Sequence, residues 1–436
     1  MVGTGGARVV GAVRNQVSFE LMDADAWLPE DHLARSVVSF VEGLDLSAFY
    51  AGISAREGGA GRPALDPAVL LSLWLYATIE GVGSARAIVR LSESDLAYRW
   101  LRGGMDLNHH TLSDFRVGHP GLLDELLSAS LACLDAEGLI NLDEVLIDGT
   151  KIKASANRDS FRTAEGLEKA EQVARTHIAA LKAEIEADPA AGLKRRQAAR
   201  ARAARERLER VGKAKAQLER IEAERRSRGN RDGGKTAAEP KASTSDPEAR
   251  SMRFSDGSHG PGYNVQIAAT PDHGFILGIR STDRRNDRDL AQPMIAEIER
   301  RLGRRPRQAI ADEGYVSKDD ITALAACEPP VTLYVPLPEE RTDIKPQSVR
   351  RRAKRQEKEP EAIKQWRQRM VTEEGQAKMK KRKRIELTNA HAKAAGLGRQ
   401  LLRGLAKVQA AALLVALAHN LRTAVRVRLL HKAQPA

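Results

Sequence analysis

Three acidic residues stand in contexts suited to metal-assisted chemistry: Asp148 in VLIDGTKIKA, Asp312 in AIADEGYVS and Glu386 in MKKRKRIELTNAHAK. The first two end short apolar, β-branched runs where a strand is predicted to stop. The third lies on a basic helical stretch. Carboxylates gathered from separate elements are what a site needs to hold two hard divalent cations through oxygen ligands. The chemistry expected of such a site is attack on phosphodiester bonds of DNA.

Each position has a functional and a plainer reading. A carboxylate at a strand end is rigidly aimed, and Gly149 after Asp148 lets the backbone approach a ligand closely. An ordinary Asp-Gly hairpin turn is the competing explanation. Asp312-Glu313-Gly314-Tyr315 joins the strand QAIA to a helix, a junction where open α/β sheets bind ligands, or where an Asp simply caps the helix. Glu313, one residue on, is expected to face the other side. Spacings of four, three and four put Arg382, Glu386, Asn389 and Lys393 on one helical face. A metal-binding carboxylate flanked by phosphate-gripping cations competes there with a set of intrahelical ion pairs. Lys151 and Arg384 are further candidates for contact with DNA.

The elements that must position these residues are legible in outline. Apolar spacing is helical from about Asp31 to Arg116, with Asp66-Pro67 opening one helix and the GVGS turn offering Ser84 as a cap for the next. Helix, glycine turn, helix suits a DNA reader and a small bundle equally. Strands are predicted at Val145–Ile147, Tyr263–Ala269, Phe275–Ile279, Gln308–Ala311 and Val331–Leu337. Helices are predicted at Asp289–Leu302 and after a Ser317 cap. The expected architecture is a mixed α/β sheet.

Between the first and second strand groups, about Glu165 to Lys235, the chain is rich in Ala, Arg, Glu and Lys. Its apolar residues recur at spacings of three, four and seven, which predicts two amphipathic helices turning at Asp188–Gly192. Such an inserted hairpin could contact DNA or act as a solvated spacer. A flexible return, residues 229–250, should follow it. A second charged stretch runs from Pro338 to Arg384, just before Glu386, and a final apolar helix, VQAAALLVALAHNLRTAV, has the pattern of a core helix.

Composition bounds the partners. Lys and Arg number 71 against 58 Asp and Glu over 436 residues, a formal charge of +13. That balance favours a polyanion, with nucleic acid the first candidate. The two cysteines, Cys133 and Cys327, lie far apart in apolar contexts, which excludes a disulfide framework or a CxxC metal site and predicts two buried small residues. No signal-peptide core opens the chain, and the run Ala410–Ala418 is too short to span a bilayer, so a soluble cytoplasmic protein with no membrane partner is expected.

Together these segments resemble the DDE transposases of bacterial insertion sequences. The likeness runs through PEDHLARSVVSFVEGLDLS, GRPALDPAVLLSLWLYATIEGVGSAR and HHTLSDFR, then DGTKIKASAN, DPEARSMRFSDGSHGPGYNVQIA, NDRDLAQPMI and ADEGYVS. Near the C-terminus the family's Tyr, Arg, Glu, Lys signature falls at Met379, Arg382, Glu386 and Lys393, followed by RGLAKV and ALAHNL. Met379 departs from the usual Tyr.

The resemblance implies an RNase H-like mixed sheet in residues 136–436, a helical, DNA-binding N-terminal domain in residues 1–135, and a helical hairpin insertion at 165–235. It implies a catalytic and metal-binding triad of Asp148, Asp312 and Glu386. Two Mg²⁺ ions about 4 Å apart, with Mn²⁺ able to substitute, would activate water or a DNA 3′-hydroxyl and stabilise the leaving oxygen. Arg382, Asn389 and Lys393 would hold substrate near the triad. The implied partners are double-stranded DNA, as the element's terminal inverted repeats and the target, and a second copy of the chain in a homodimer at the nucleoid. Two rivals remain: a metal-dependent nuclease of the same fold that does not join strands, and a catalytically decayed DNA-binding protein. Intact acids at all three positions weigh against the second.

Overall fold

The computed structural model describes residues 23–55, 63–187, 194–227, 239–338 and 354–433. The turn expected at Asp188–Gly192 lies outside these residues, as do parts of the stretches 229–250 and 338–384.

The N-terminal part is helical, as its spacing predicts: α1 (Leu33–Glu42), α2 (Pro67–Ile79), α3 (Ala85–Ser94), α4 (Leu96–Arg102), α5 (His109–Gly118) and α6 (Pro120–Ala136). Helix α2 starts where Asp66 accepts the Ala68 N–H at 2.8 Å and Pro67 fills the first turn. Ser84 caps α3 through the Ala87 N–H. Helix α2 is buried on all sides, with Leu71, Leu73 and Leu75 fully enclosed, so it forms the centre of the bundle rather than an amphipathic edge. Trp74 donates its indole N–H to the Leu112 carbonyl at 2.8 Å, and Arg116 stacks over the Trp74 ring.

The main sheet has six strands: β1 (Glu144–Lys153), β2 (Arg250–Arg253), β3 (His259–Ala269), β4 (Ile276–Thr282), β5 (Gln308–Ile310) and β6 (Thr332–Tyr334). In space β3 lies antiparallel beside β1 along one edge and receives β2 and β4, both antiparallel, along the other. On the far side of β1, strands β5 and β6 add in parallel. The predicted strands are all present, β3 being longer than expected and β6 shorter. One expectation fails: the first strand does not stop at Asp148 but runs on to Lys153, with Gly149 opposite Gln266 of β3. Asp148-Gly149 is therefore not a hairpin turn.

The hairpin helices are α7 (Ala164–Ala187) and α8 (Lys194–Ser227). They pack antiparallel, since Glu184 pairs with Arg200 and Glu171 with Lys215. The base of α8 is tied to the sheet: Gln217 and Arg220 both reach the Asp283 carboxylate just beyond β4.

Helix α9 (Ala291–Leu302) follows β4, and α10 (Lys318–Ala325), capped by Ser317, follows β5. The C-terminal helices are α11 (Glu361–Met370), α12 (Glu373–Lys381), α13 (Arg384–Ala392) and α14 (Leu405–Ala433). The last lies between bundle and sheet, touching α2, α6 and β4. Its polar residues bond the free edge of β4. Asn420 accepts from the Ile276 N–H and donates to the Ile276 carbonyl, both at 2.8 Å, and Gln409 does the same for Ser281 and Ile279. An edge strand covered in this way cannot recruit another chain. Contrary to the sequence expectation, Leu405–Leu430 is long and apolar enough to cross a membrane, but 72% of its most apolar window is buried inside the protein. A single core cluster runs from the bundle through α14 to the sheet.

The cysteines also differ from expectation. Cys133 is exposed and Cys327 half-buried. On α6 the buried stripe is Leu123, Leu126, Leu127, Ser130, Leu131 and Leu134, and Cys133 falls off it.

Candidate active site

Strands β1 and β5 are parallel neighbours in a fixed register, with Leu146 opposite Ile310. Those partners are 164 residues apart (310 − 146), and so are Asp148 and Asp312 (312 − 148). Two residues beyond the last paired positions, the two strands thus deliver their aspartates to the same level of the sheet. The apolar residues behind them, Val145, Leu146, Ile147, Ala309 and Ile310, are almost wholly buried and hold that register.

Asp148 Oδ1 accepts its neighbour Gly149's N–H at 2.9 Å, and Oδ2 accepts the Asn389 side-chain N–H at 2.7 Å. Burial, reinforced by the Asp312 charge, pushes its pKa up to about 7, against the pull of the Gly149 N–H and Arg382. Asp312 caps the short turn Glu313–Tyr315 by accepting the Gly314 N–H at 2.9 Å. Its carboxyl is also raised, by burial first and then by the charge of Asp287. Capping and a place beside Asp148 therefore coexist in one side chain.

The helical face around Glu386 is assembled differently from one uninterrupted helix. Helix α12 ends at Lys381, and α13 begins at Arg384 and gives way at Lys393 to a π-turn. Lys378 and Lys381 pair with Glu144 at the start of β1, which anchors α12 there. Asn389 then reaches Asp148. Arg382 acts on both aspartates and lies 3.5 Å from Glu386, whose side chain is 59% exposed. The intrahelical ion pair is thus present between Arg382 and Glu386. Arg384 turns away to the Pro271 carbonyl at 3.2 Å. Lys393 is half-buried where the π-turn begins, and Lys151 is half-buried on β1 opposite Asn264. Met379, at the family's Tyr position, packs against the core.

One acid of this region was not singled out from the sequence. Asp287, in the NDRD segment, accepts N–H groups from Asn264 at 2.7 Å and Gln266 at 2.8 Å. Its charge bears on both Asp148 and Asp312. Two amides at alternate positions of a largely apolar strand were the available signal, because buried amides require partners.

Among the described residues, no group of three or more His, Cys, Asp or Glu side chains is placed to hold a metal ion. The donor chemistry nevertheless fits a hard divalent cation: oxygen donors, with two carboxyls whose proton affinity is raised first by burial and then by neighbouring acids. The third donor is what this arrangement lacks.

Family models match two segments of the chain. Residues 236–421 match the transposase DDE domain, and residues 22–117 match the transposase domain DUF772. The chain belongs to the insertion-sequence DDE transposases. No curated protein and no solved structure gives a significant match. In this transposase Asp287, Asp312 and Glu386 fall inside the DDE segment, the helices α1 to α4 and all but the last residue of α5 inside the other, and Asp148 between the two.

Proposed function

We propose that this transposase cuts phosphodiester bonds at the ends of its element and joins the freed 3′ ends to target DNA, using Asp148, Asp312 and Glu386 as catalytic, metal-binding acids. The parallel register of β1 and β5 carries the reading, because it supports Asp148 and Asp312 acting as a pair. The strand order β4-β3-β1-β5-β6 supports an RNase H-like sheet. Residues 136–436 are read as the catalytic unit, with the hairpin at 165–235 inserted into it and residues 1–135 as a DNA-binding unit.

When bound, Mg²⁺ or Mn²⁺ would stabilise the charge that builds on the phosphate. The chain's own contribution is position and charge. Asn389 and the Gly149 N–H hold both oxygens of Asp148, and the Gly314 N–H fixes Asp312. Arg382 faces the pair and holds Glu386 only by an exposed contact, which is worth little. A DNA phosphate can therefore take Arg382 and release Glu386 to complete the acidic set. Lys151, Lys393 and Arg384 are read as further phosphate contacts. The partners are the terminal inverted repeats, target DNA and a second copy of the chain, because two ends must be cut together, and the setting is the cytoplasm at the nucleoid.

The test uses a plasmid carrying the chain's own coding segment with its flanking DNA. Purified protein with Mg²⁺ should nick the ends and join them to a second duplex. Asp148→Asn and Asp312→Asn should abolish both steps and leave end binding in a gel shift intact. Full cleavage by either variant would overturn the assignment, and cleavage without joining would make the protein a nuclease.

A further inference from the structure

Asp287 lies at the tip of an ordered loop pinned on both sides. Asp283, four residues before it, is held by Gln217 and Arg220 of α8 and by Arg250 of β2. Asp289, two residues after it, adopts a positive φ of 61° and accepts the Ser317 hydroxyl at 2.5 Å. The carboxylate so delivered meets both catalytic strands. A methyl added at Gly149 would overlap Asp287 Oδ1, and one added at Gly314 would lie 3.1 Å from Oδ2. Gly149 directly follows Asp148, and Gly314 follows Asp312 by two residues. Asp287 Oδ1 takes the amides of Asn264 and Gln266, neighbours on one face of β3 whose register partners on β1 are Lys151 and Gly149. Gln266 in turn accepts the hydroxyl of Tyr315, the residue after Gly314.

We propose that Asp287 is a positioning residue of the DDE site: its carboxylate wedges between the backbones behind Asp148 and Asp312, and its charge strengthens their hold on a divalent cation without ligating it. Small residues at 149 and 314 are what allow a carboxylate to sit there. The hydrogen bonds do not by themselves call for an acid, since the two amide donors on Asp287 Oδ1 would be satisfied equally by an uncharged oxygen. The negative charge costs stability unless a cation arrives. This inference rests on the proposed function, in which Asp148 and Asp312 bind the ion.

The deciding experiment is Mn²⁺ binding to the full, DNA-free chain, followed by electron paramagnetic resonance, with thermal unfolding and end cleavage measured alongside. Asp287→Asn keeps the shape and one oxygen for the Asn264 and Gln266 amides, so it should fold as the wild type does. It should bind Mn²⁺ at least about tenfold more weakly and need correspondingly more Mg²⁺ for half-maximal cleavage, as substitutions around first ligands do. Gly149→Ala, which must displace the carboxylate, should show the same weakening. A folded Asp287→Asn with wild-type Mn²⁺ affinity overturns the inference whatever Gly149→Ala does. Asp148→Asn and Asp312→Asn separate the two levels. If they lose binding and cleavage while Asp287→Asn keeps both, only the role of Asp287 fails; if they too retain both, the acidic pair is not the site.

Discussion

The Asn389 side-chain amide donates to Asp148 Oδ2 at 2.7 Å, joining helix α13 to strand β1 across 241 residues of sequence. The bond orients a carboxylate, and the buried Asn389 Oδ1 has no partner among the described residues. Asn389→Ala should cost only about 1 kcal/mol of stability. It should slow single-turnover cleavage by about 10- to 100-fold, the usual effect of removing a residue that orients a ligand. Thermal unfolding and a cleavage time course on the same preparation measure the two numbers. An unchanged cleavage rate would show that Asp148 needs no outside support.

Arg301 joins the N-terminal bundle to the sheet. Its fully buried side chain pairs with Glu297 on its own helix and with Asp124 of α6, and it also bonds the Asp124 carbonyl and Ser128 hydroxyl. Removing it leaves the largely buried Glu297 carboxylate with only the Ile279 N–H and leaves Asp124 with Arg300 alone. Arg301→Ala should therefore lower stability by about 3–5 kcal/mol. Urea unfolding should show the loss, while a replacement that costs under about 1 kcal/mol would mean that the acids relax into water.

His419 predicts an acid-sensitive fold. Burial lowers its pKa to about 4, and its Nε2 lies 2.8 Å from the Gly274 carbonyl, with His391 of α13 and Arg422 and Arg426 of its own helix as the charged or titratable neighbours. In the unfolded chain a histidine protonates near 6.5. As pH falls from about 6.5 to about 4, the unfolded state gains a proton that the folded state refuses, so stability drops across that window and levels off below it. His419→Gln retains a donor for Gly274 and should flatten the drop. Urea midpoints at pH 7 and pH 4.5, wild type against variant, give the answer; parallel shifts would clear His419.

How far the sequence disclosed all this depended on whether a residue's role was local. Helix α2 announced itself through Asp66, Pro67 and an apolar run, and Asp312 through its strand, glycine and following cap. Asp148 was visible as an acid but not as a residue inside a strand. The second half of β1, GTKIK, buries Thr150 and Ile152 and not the residues that alternate with them, but its only strongly apolar residue is Ile152, and glycine normally weakens a strand. It is stable there because β3 pairs with it and Asp287 occupies the space a side chain would have taken. Asp287 itself lies in a charged loop with no periodicity, so only the fold could bring it to Asn264 and Gln266. Cys133 was misread from its apolar neighbours alone, although the three-four spacing of the leucines around it already left it off the buried face.

The acidic site should trade stability for function, and Asp148 gives the sign. Its folded pKa lies near 7, above the ordinary carboxylate value of 3.8, because burial and Asp312 penalise the charge. Between about pH 4 and about pH 7 the folded chain therefore keeps a proton that the unfolded chain has lost, and stability falls as pH rises through that window. Asp148→Asn replaces the acid with a neutral amide, which leaves no charge to penalise and still offers Asn389 a side-chain oxygen. In EDTA at pH 8, Asp148→Asn should melt several degrees above the wild type, and the gap should close near pH 4. Adding Mg²⁺ should raise the wild-type midpoint and leave the variant's unmoved, while the variant cuts no DNA. Equal midpoints at pH 8 without metal would mean that Asp148 is not strained by its neighbours, and would remove the electrostatic reason for a cation between Asp148 and Asp312.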